Sequence, residues 1–119
     1  MKGLDGIHKK GIIHRDLKLQ NILIDNKLDS KEEGDLQIYI SDFGFATRTS
    51  AIFNNMRCGT PGYAAPEVYL ECCEVTEKSD IFSLGSLIYR LCTGIPLIQG
   101  FDLYQVRDLT LNMNHEQIL

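Results

Sequence analysis

The chain has 119 residues, and its 16 acidic residues outnumber its 12 lysines and arginines to give a formal net charge of −4 at pH 7. This balance argues against nucleic acid or an anionic membrane as the main partner, since both favour clustered basic residues. Charged residues or glycine interrupt every apolar segment well before the ~18 residues that a membrane-spanning helix needs, so we expect no membrane insertion.

The four cysteines of the chain do not have the spacing of a zinc site. No secretory signal peptide is recognisable, which favours reduced thiols in an intracellular, cytoplasmic protein over the alternative of disulfides. The four residues are Cys58, Cys72, Cys73 and Cys92.

The N-terminal residues predict the last turns of a helix. Leu4, Ile7 and His8 have the spacing of one helical face. Gly11 suits the end of this helix, because glycine readily adopts the left-handed conformation found after a helix C terminus.

A charged loop with the sequence His-Arg-Asp-Leu-Lys-Leu-Gln-Asn follows at positions 14–21, between two apolar runs. Its polar groups suit phosphoryl transfer. Asp16 would accept the proton of an attacking hydroxyl, Lys18 would neutralise the moving phosphate, and Asn21 would hold a metal ion. The alternative is a solvated loop whose Asp and Asn residues cap turns.

Two strands are predicted next, at positions 22–24 and 36–40, from their aliphatic and β-branched residues. The connector at 25–35 is rich in charged and turn-forming residues and is too polar to bury. We therefore expect a hairpin with a surface insertion that leaves the catalytic ends of both strands in place. A docking role for the insertion is the alternative.

Asp42 lies directly after the second predicted strand, in the sequence Ser-Asp-Phe-Gly. An Asp-x-Gly sequence alone is typical of an ordinary turn. Together with Asn21, however, Asp42 would supply the second oxygen ligand that a hard cation such as Mg²⁺ prefers. The two residues are therefore the candidate metal ligands.

Positions 59–67 read Gly-Thr-Pro-Gly-Tyr-Ala-Ala-Pro-Glu. With the H-R-D-x-x-x-x-N loop at 14–21 and the D-F-G sequence at 42–44 before it, the chain resembles the eukaryotic protein kinase family. The resemblance implies an α+β fold: a mainly α-helical fragment of the C-terminal lobe with a small β-hairpin at the active site. Residues 1–119 would form a partial kinase domain, without the N-terminal lobe or the last helices of the C-terminal lobe.

The resemblance also implies ATP and Mg²⁺ as cofactors and a role for each site residue. Asp16 would be the catalytic base, Lys18 would contact the phosphoryl group, and Thr60 would seat the substrate beside Asp16. Asn21 and Asp42 would hold the magnesium ions that bind the nucleotide. Lys18 and Thr60 have the serine/threonine-kinase form, and the Gly-Thr-Pro-Gly-Tyr string is most similar to the calcium/calmodulin-dependent branch.

Positions 42–67 resemble the kinase activation segment. Met56 stands where many relatives carry the activating threonine, so activity independent of phosphate, or a shifted phosphorylation site, is implied. A phosphate on a nearby hydroxyl would order the segment by pairing with Arg15. The alternative is that these hydroxyls are ordinary loop residues. They belong to Thr47, Thr49 and Ser50.

A short helix is predicted from Pro66 to Leu70, since proline suits a first helical turn. By resemblance, Glu67 would pair with an arginine of a later helix that the chain does not contain, which would leave its carboxylate without a partner here. Thr76 is a suitable N-cap for the next helix. A further helix is expected from Asp102 to about Leu111.

The helix predicted at about 77–92 is expected to stop at Gly94. It is apolar on nearly all sides, so we expect it to be a central buried helix. By resemblance, Asp80 near its start would accept hydrogen bonds from the backbone around His14 and Arg15. The alternative is a carboxylate placed favourably in a first helical turn.

The resemblance implies a serine/threonine protein kinase that, in its full-length parent, transfers the γ-phosphate of Mg-ATP to hydroxyls of protein substrates. The isolated chain is expected to be inactive. A non-catalytic, kinase-like scaffold is the alternative, with which Met56 and the insertion are compatible. Asp16, Asn21 and Asp42 favour the enzyme, because a binding surface does not need all three. No regulatory partner follows from the sequence.

Overall fold

A computed structural model describes residues 2–25, 37–49, 58–70 and 74–113 of the chain. These residues form a mixed α+β structure, as expected, with three helices and two small antiparallel sheets. The helices and strands are α1 (Lys2–Lys9), β1 (Ile12–Ile13), β2 (Ile22–Asp25), β3 (Gln37–Ile40), β4 (Thr47–Arg48), α2 (Glu77–Thr93) and α3 (Leu103–Leu111). Two short 3₁₀ helices lie at Leu19–Asn21 and Pro66–Tyr69.

The predicted hairpin strands are confirmed. β2 and β3 pair antiparallel, with Ile22 opposite Ile40. The backbone N–H of Ser41 also donates to the carbonyl oxygen of Asn21 at 2.8 Å, which joins the two residues that flank the strand pair at this end. The hairpin therefore holds Asn21 close to the turn that contains Asp42. Most of the predicted insertion at 25–35, namely positions 26–35, lies outside the described residues.

A second strand pair was missing from the sequence prediction. β1 pairs antiparallel with β4, with Ile13 opposite Thr47. Strands of two residues are too short to show an alternating pattern, so the sequence carries no signal for β4. The pair ties the residues just before the charged loop to the chain that follows Asp42.

The ends of α2 follow the capping rules that the sequence suggests. The side chain of Thr76 accepts a hydrogen bond from the Lys78 N–H at 3.2 Å, and the Ser79 hydroxyl accepts one from the Thr76 N–H at 3.3 Å. Gly94 ends the helix in the left-handed region with φ 77°. The helix predicted at 77–92 is thus present with an end one residue later.

No helix in the described ranges is long and apolar enough to cross a bilayer.

In the 119-residue chain, one side of α2 is buried and its large apolar residues lie mainly on the uncovered side. Ile81, Ile88 and Leu91 are 54%, 49% and 65% exposed, whereas the buried residues of the helix are mostly polar. The reason is that the inward face carries hydroxyl and carboxylate groups that bond to the site loops. These buried residues are Ser79, Asp80, Ser83, Ser86 and Leu87.

Candidate active site

Asp16 lies at the centre of the charged loop and is only 6% exposed. Its Oδ1 atom accepts a hydrogen bond from the Thr60 hydroxyl at 2.7 Å. The Lys18 ammonium lies 3.7 Å from its Oδ2 atom. The three residues predicted to be catalytic therefore meet at one carboxylate, although Thr60 is 44 positions away from Asp16 in the chain. One hydroxyl and one cation orient this carboxylate, and a carboxylate has lone pairs for a further donor.

Asn21 is buried beside Asp16 and turned towards it. Its Nδ2 atom donates to the backbone oxygen of Asp16 at 2.7 Å and lies 3.4 Å from Oδ2 of the same residue. Because the amide nitrogen is committed in this way, the amide oxygen is the group left for a ligand. Among the described residues, none donates a hydrogen bond to it.

Asp42 lies two residues after the end of β3 and is exposed. Its backbone is in the left-handed region with φ 58°, which is uncommon for a residue other than glycine. The Gly44 N–H donates to its Oδ1 atom at 3.2 Å, and a Cβ at position 44 would approach the same oxygen to 3.1 Å. Gly44 therefore gives the carboxylate room to fold back onto the turn.

Asn21 and Asp42 offer an amide oxygen and a carboxylate at one end of the hairpin. Both are hard oxygen ligands, so this donor set fits Mg²⁺, which commonly binds one or two carboxylates together with substrate phosphates and water. In the described ranges, no group of three or more His, Cys, Asp or Glu residues could hold a metal ion. A magnesium ion at Asn21 and Asp42 would thus need further oxygen ligands, such as water or the phosphates of a bound ligand.

The ring of His14 connects the loop of Asp16 to the turn of Asp42. It is fully buried, its Nδ1 atom accepts a hydrogen bond from the Asp16 N–H at 3.1 Å, and its Nε2 atom lies 2.8 Å from the Ser41 carbonyl oxygen. Since Nδ1 accepts, a neutral ring carries its proton on Nε2 and donates it to Ser41. Phe43 packs edge-on against the ring at 5.0 Å. The sequence motif alone indicates no such role for His14.

Asp80 of α2 binds the backbone of the charged loop, as expected. Its carboxylate accepts hydrogen bonds from the N–H groups of His14 at 2.8 Å and Arg15 at 2.9 Å. His8 of α1 also lies 2.9 Å from this carboxylate. Arg15 has φ 71°, and its Nε donates to the Phe45 carbonyl oxygen at 2.5 Å. The buried carboxylate thus holds the backbone in a conformation that is otherwise disfavoured.

Two serines of α2 hold the segment that follows Thr60. The Ser83 hydroxyl donates to the Tyr63 carbonyl oxygen and the Ser86 hydroxyl to that of Gly62, each at 2.7 Å. With Ser79, these serines form a stripe at spacings of four and three residues, which we call the serine stripe. Sequence reasoning missed it, although three hydroxyls on one face of an otherwise apolar helix are a visible signal.

Glu67 has a partner, so the prediction that its carboxylate is unpaired in this chain is wrong. The Ser79 hydroxyl donates to its Oε1 atom at 2.6 Å. The N terminus of α2 brings this serine to the 3₁₀ helix that contains Glu67, a contact that the local sequence does not reveal. The serine stripe therefore binds the segment 62–67 at three points.

The regulatory hydroxyls remain a prediction. Thr47 pairs with Ile13 in the small sheet, and the Thr49 N–H donates to the Gly11 carbonyl oxygen at 2.8 Å. The other residues of this prediction, Ser50 and Met56, lie outside the described residues.

Two of the four cysteines, Cys58 and Cys92, are described, and both carry free thiols. Burial raises the pKa of the Cys58 thiol, and the nearby Arg15 guanidinium opposes this with a smaller effect. A raised pKa disfavours the thiolate, which is the reactive form. Cys58 is therefore suited to a structural place beside the site. Cys72 and Cys73 lie outside the described residues.

Comparison with known proteins gives consistent results. Residues 1–117 match the family model described as a protein kinase domain. The chain is 38% identical over 103 residues to the probable serine/threonine-protein kinase 2 of Plasmodium falciparum (isolate K1 / Thailand). The aligned residues make up 87% of the chain and 19% of that protein. It is 41% identical over 90 residues to the human serine/threonine-protein kinase ULK1, covering 74% of the chain and 8% of the relative. The chain thus spans about a fifth or less of the length of these relatives.

Proposed function

Since the chain belongs to the protein kinase family, we propose that the protein containing it transfers the γ-phosphate of ATP to serine or threonine hydroxyls of protein substrates. The observation that carries this proposal is the buried Asp16 carboxylate, with the Thr60 hydroxyl at 2.7 Å and the Lys18 ammonium at 3.7 Å. A proton acceptor and a cation side by side suit a reaction in which a hydroxyl attacks a phosphate. Relatives named as serine/threonine-protein kinases support the substrate class.

Asp16 would act as the catalytic base. The hydrogen bond from Thr60 and the contact with Lys18 set the orientation of its carboxylate before a substrate arrives. A substrate hydroxyl that donates to this carboxylate would therefore meet an oriented acceptor, and general-base help of this kind contributes roughly 10²–10⁴ in rate. Lys18 would stabilise the charge on the transferred phosphoryl group.

Asn21 and Asp42 would hold magnesium, which in kinases neutralises charge on the nucleotide phosphates. Asn21 is suited to this because its amide nitrogen is bound by Asp16, so that its oxygen is the group presented to a ligand. The His14 ring keeps the two halves of this site together by bonding to the Asp16 N–H and to the Ser41 carbonyl oxygen.

The test is a phosphate-transfer assay on the full-length protein with Mg-ATP and generic protein substrates. We expect Asp16→Asn to lower kcat by roughly 10²–10⁴. Asp108→Asn, which changes an exposed carboxylate of α3, is the matched control and should keep full activity. Full activity in Asp16→Asn would refute the role of Asp16, and a wild-type protein without transfer would favour the scaffold.

The 119-residue chain by itself should neither bind ATP tightly nor transfer phosphate. Its sequence has no glycine-rich loop of the G-x-G-x-x-G type that would cover the nucleotide phosphates. Lys18, Asn21 and Asp42 would then contact the nucleotide without that cover. Calorimetry with the purified chain measures this directly, and micromolar binding of ATP would contradict it.

A further inference from the structure

A cavity of about 270 Å³ lies next to the candidate active site. One wall is Leu19 and Gln20, which directly follow Lys18, and another is the segment 61–63, which directly follows Thr60. This volume lies just below the roughly 300–1,000 Å³ usual for small-molecule sites, and it has room for one side chain of a bound peptide. Its position means that such a side chain would belong to the substrate whose hydroxyl lies at Asp16.

The walls of this cavity are held in place by α2. Ser86 lines it and donates to the Gly62 carbonyl oxygen at 2.7 Å, while Ser83 donates to that of Tyr63 at 2.7 Å. The hydroxyl protons of both serines are therefore already used. A pocket whose walls are fixed before binding loses less conformational entropy when a ligand enters.

Among the described residues, Arg90 is the one charged residue that lines this cavity. It lies four residues after Ser86 on the same face of α2 and is half-buried. Within the part of the chain that the structure describes, its guanidinium has no hydrogen bond or ion pair. By contrast, the exposed Lys9 and Arg107 each contact a carboxylate, at 2.8 Å and 3.2 Å. A half-buried cation without a counter-ion in a concave site attracts an anion.

We propose that this cavity receives an anionic side chain of the substrate, a carboxylate or a phosphorylated residue, which pairs with Arg90 while the acceptor hydroxyl lies at Asp16. The inference rests on the proposed function for the identity of the substrate. The chemistry that it requires is complementary charge and a planar guanidinium, which binds carboxylate and phosphate in a bidentate manner. Arg90 would then determine which serines and threonines the protein selects.

The test measures peptide binding to the full-length protein, separately from phosphate transfer. The peptides carry alanine at the acceptor position and, at each flanking position in turn, Glu, phosphoserine, Lys or the neutral reference Gln. At one flanking position, we expect Glu or phosphoserine to tighten binding to the wild type about three- to tenfold over Gln. The two anionic series show whether a carboxylate or a phosphate is preferred.

Variants of Arg90 assign the preference to this residue. Arg90→Ala should abolish it, Arg90→Lys should keep part of it, and Arg90→Glu should shift it to the Lys peptides. Arg90→Gln replaces the alanine variant if thermal unfolding shows that the latter is not folded. The matched control is Arg107→Ala, which removes an arginine outside the cavity and should bind like the wild type.

Two results would overturn the inference: no anionic preference at any position in the wild type, or a preference that persists in Arg90→Ala and Arg90→Gln. Phosphate transfer is then measured on the same peptides with serine at the acceptor position. This assay separates a failure of the present inference from a failure of the proposed function. Transfer without an anionic preference rejects the inference alone. Arg90-dependent binding of anionic peptides without any transfer rejects the proposed function alone.

Discussion

The two faces of α2 behave in opposite ways. The inward face buries Asp80 and the serine stripe, whereas the outward face exposes large apolar residues such as Ile81 and Ile88. Hydropathy alone does not predict which face of α2 is buried, because the helix is apolar on nearly all sides. Each buried polar group of the inward face has a specific partner in the site loops: the backbone of the charged loop for Asp80, and the segment after Thr60 for the serines.

This difference shows what positions the candidate site. Buried polar groups are tolerated when they are hydrogen-bonded, and they then define one arrangement more strictly than apolar contacts do. The apolar residues buried in the described ranges are few, and α2 contributes only one of them. We therefore expect the site to be more sensitive to changes on the polar face of α2 than on its apolar face.

The largest effect is expected from Asp80→Ala in the full-length protein. Removing the carboxylate leaves the N–H groups of His14 and Arg15 buried without a partner. The free energy of unfolding should fall by about 3 kcal/mol or more, measured by urea denaturation. Asp108→Ala, at an exposed position of α3, should change it by no more than about 0.5 kcal/mol. Equal effects of the two variants would mean that the inward face does not hold the loop.

A smaller effect is expected from the double variant Ser83→Ala, Ser86→Ala. It removes two hydrogen bonds to the segment after Thr60, each of which contributes about 1 kcal/mol to stability. Under the proposed function that segment contacts the peptide substrate, so steady-state kinetics should show a higher KM for the peptide and an unchanged KM for ATP. Thr93→Ala removes a hydroxyl whose partners among the described residues are Tyr89 in the last turn of α2 and Ile95 just after it, and it should change neither KM. A parallel rise in both KM values would contradict a local role.

Tyr69→Phe tests a buried polar group that has no partner. The Tyr69 hydroxyl is buried without a hydrogen bond in the described part of the chain. Removing it should raise the free energy of unfolding by about 1 kcal/mol.

Burial also raises the pKa of Tyr69 in the folded state. Wild-type stability should therefore fall as the pH rises above about 10, where the unfolded tyrosine ionises first, and the variant should lack this loss. Thermal unfolding between about pH 8 and about pH 11 measures both effects, and a destabilised variant would indicate a partner for the hydroxyl.

The smallest effect is expected from Ile81→Gln on the outward face, measured in the 119-residue chain. The side chain is 54% exposed, so the free energy of unfolding should change by less than about 0.5 kcal/mol. Exposed apolar residues favour self-association, and sedimentation should show less of it in the variant. A loss of about 2 kcal/mol would instead show that Ile81 is buried.

Local sequence signals predicted the helices and the hairpin well. Thr76 and Gly94 mark the two ends of α2, because capping depends on the residues next to a helix end. The strands β2 and β3 follow from short aliphatic runs on either side of a polar connector. In these cases the information lies within a few residues of the element that it determines.

The sequence could not predict features that depend on distant partners. The burial of Ser83 and Ser86 depends on carbonyl groups 20 and 24 positions away, and the partner of Glu67 lies in a different element. The meeting of Asp16 and Thr60 was expected only because the motifs resemble a known family. No local pattern places a threonine 44 positions along the chain beside a given carboxylate.

The contact between Asp80 and the charged loop has a consequence for biosynthesis. His14 and Asp80 are separated by 66 positions, and Arg15 adopts its left-handed backbone with the same carboxylate as partner. A nascent chain that ends before α2 begins at Glu77 contains Asp16, Asn21, Asp42 and Thr60 but not the group that anchors their loop. Contacts so distant along the chain form late in folding, after the entropy of closing the intervening loop has been overcome. During translation, the site can therefore assemble only once α2 has left the ribosome.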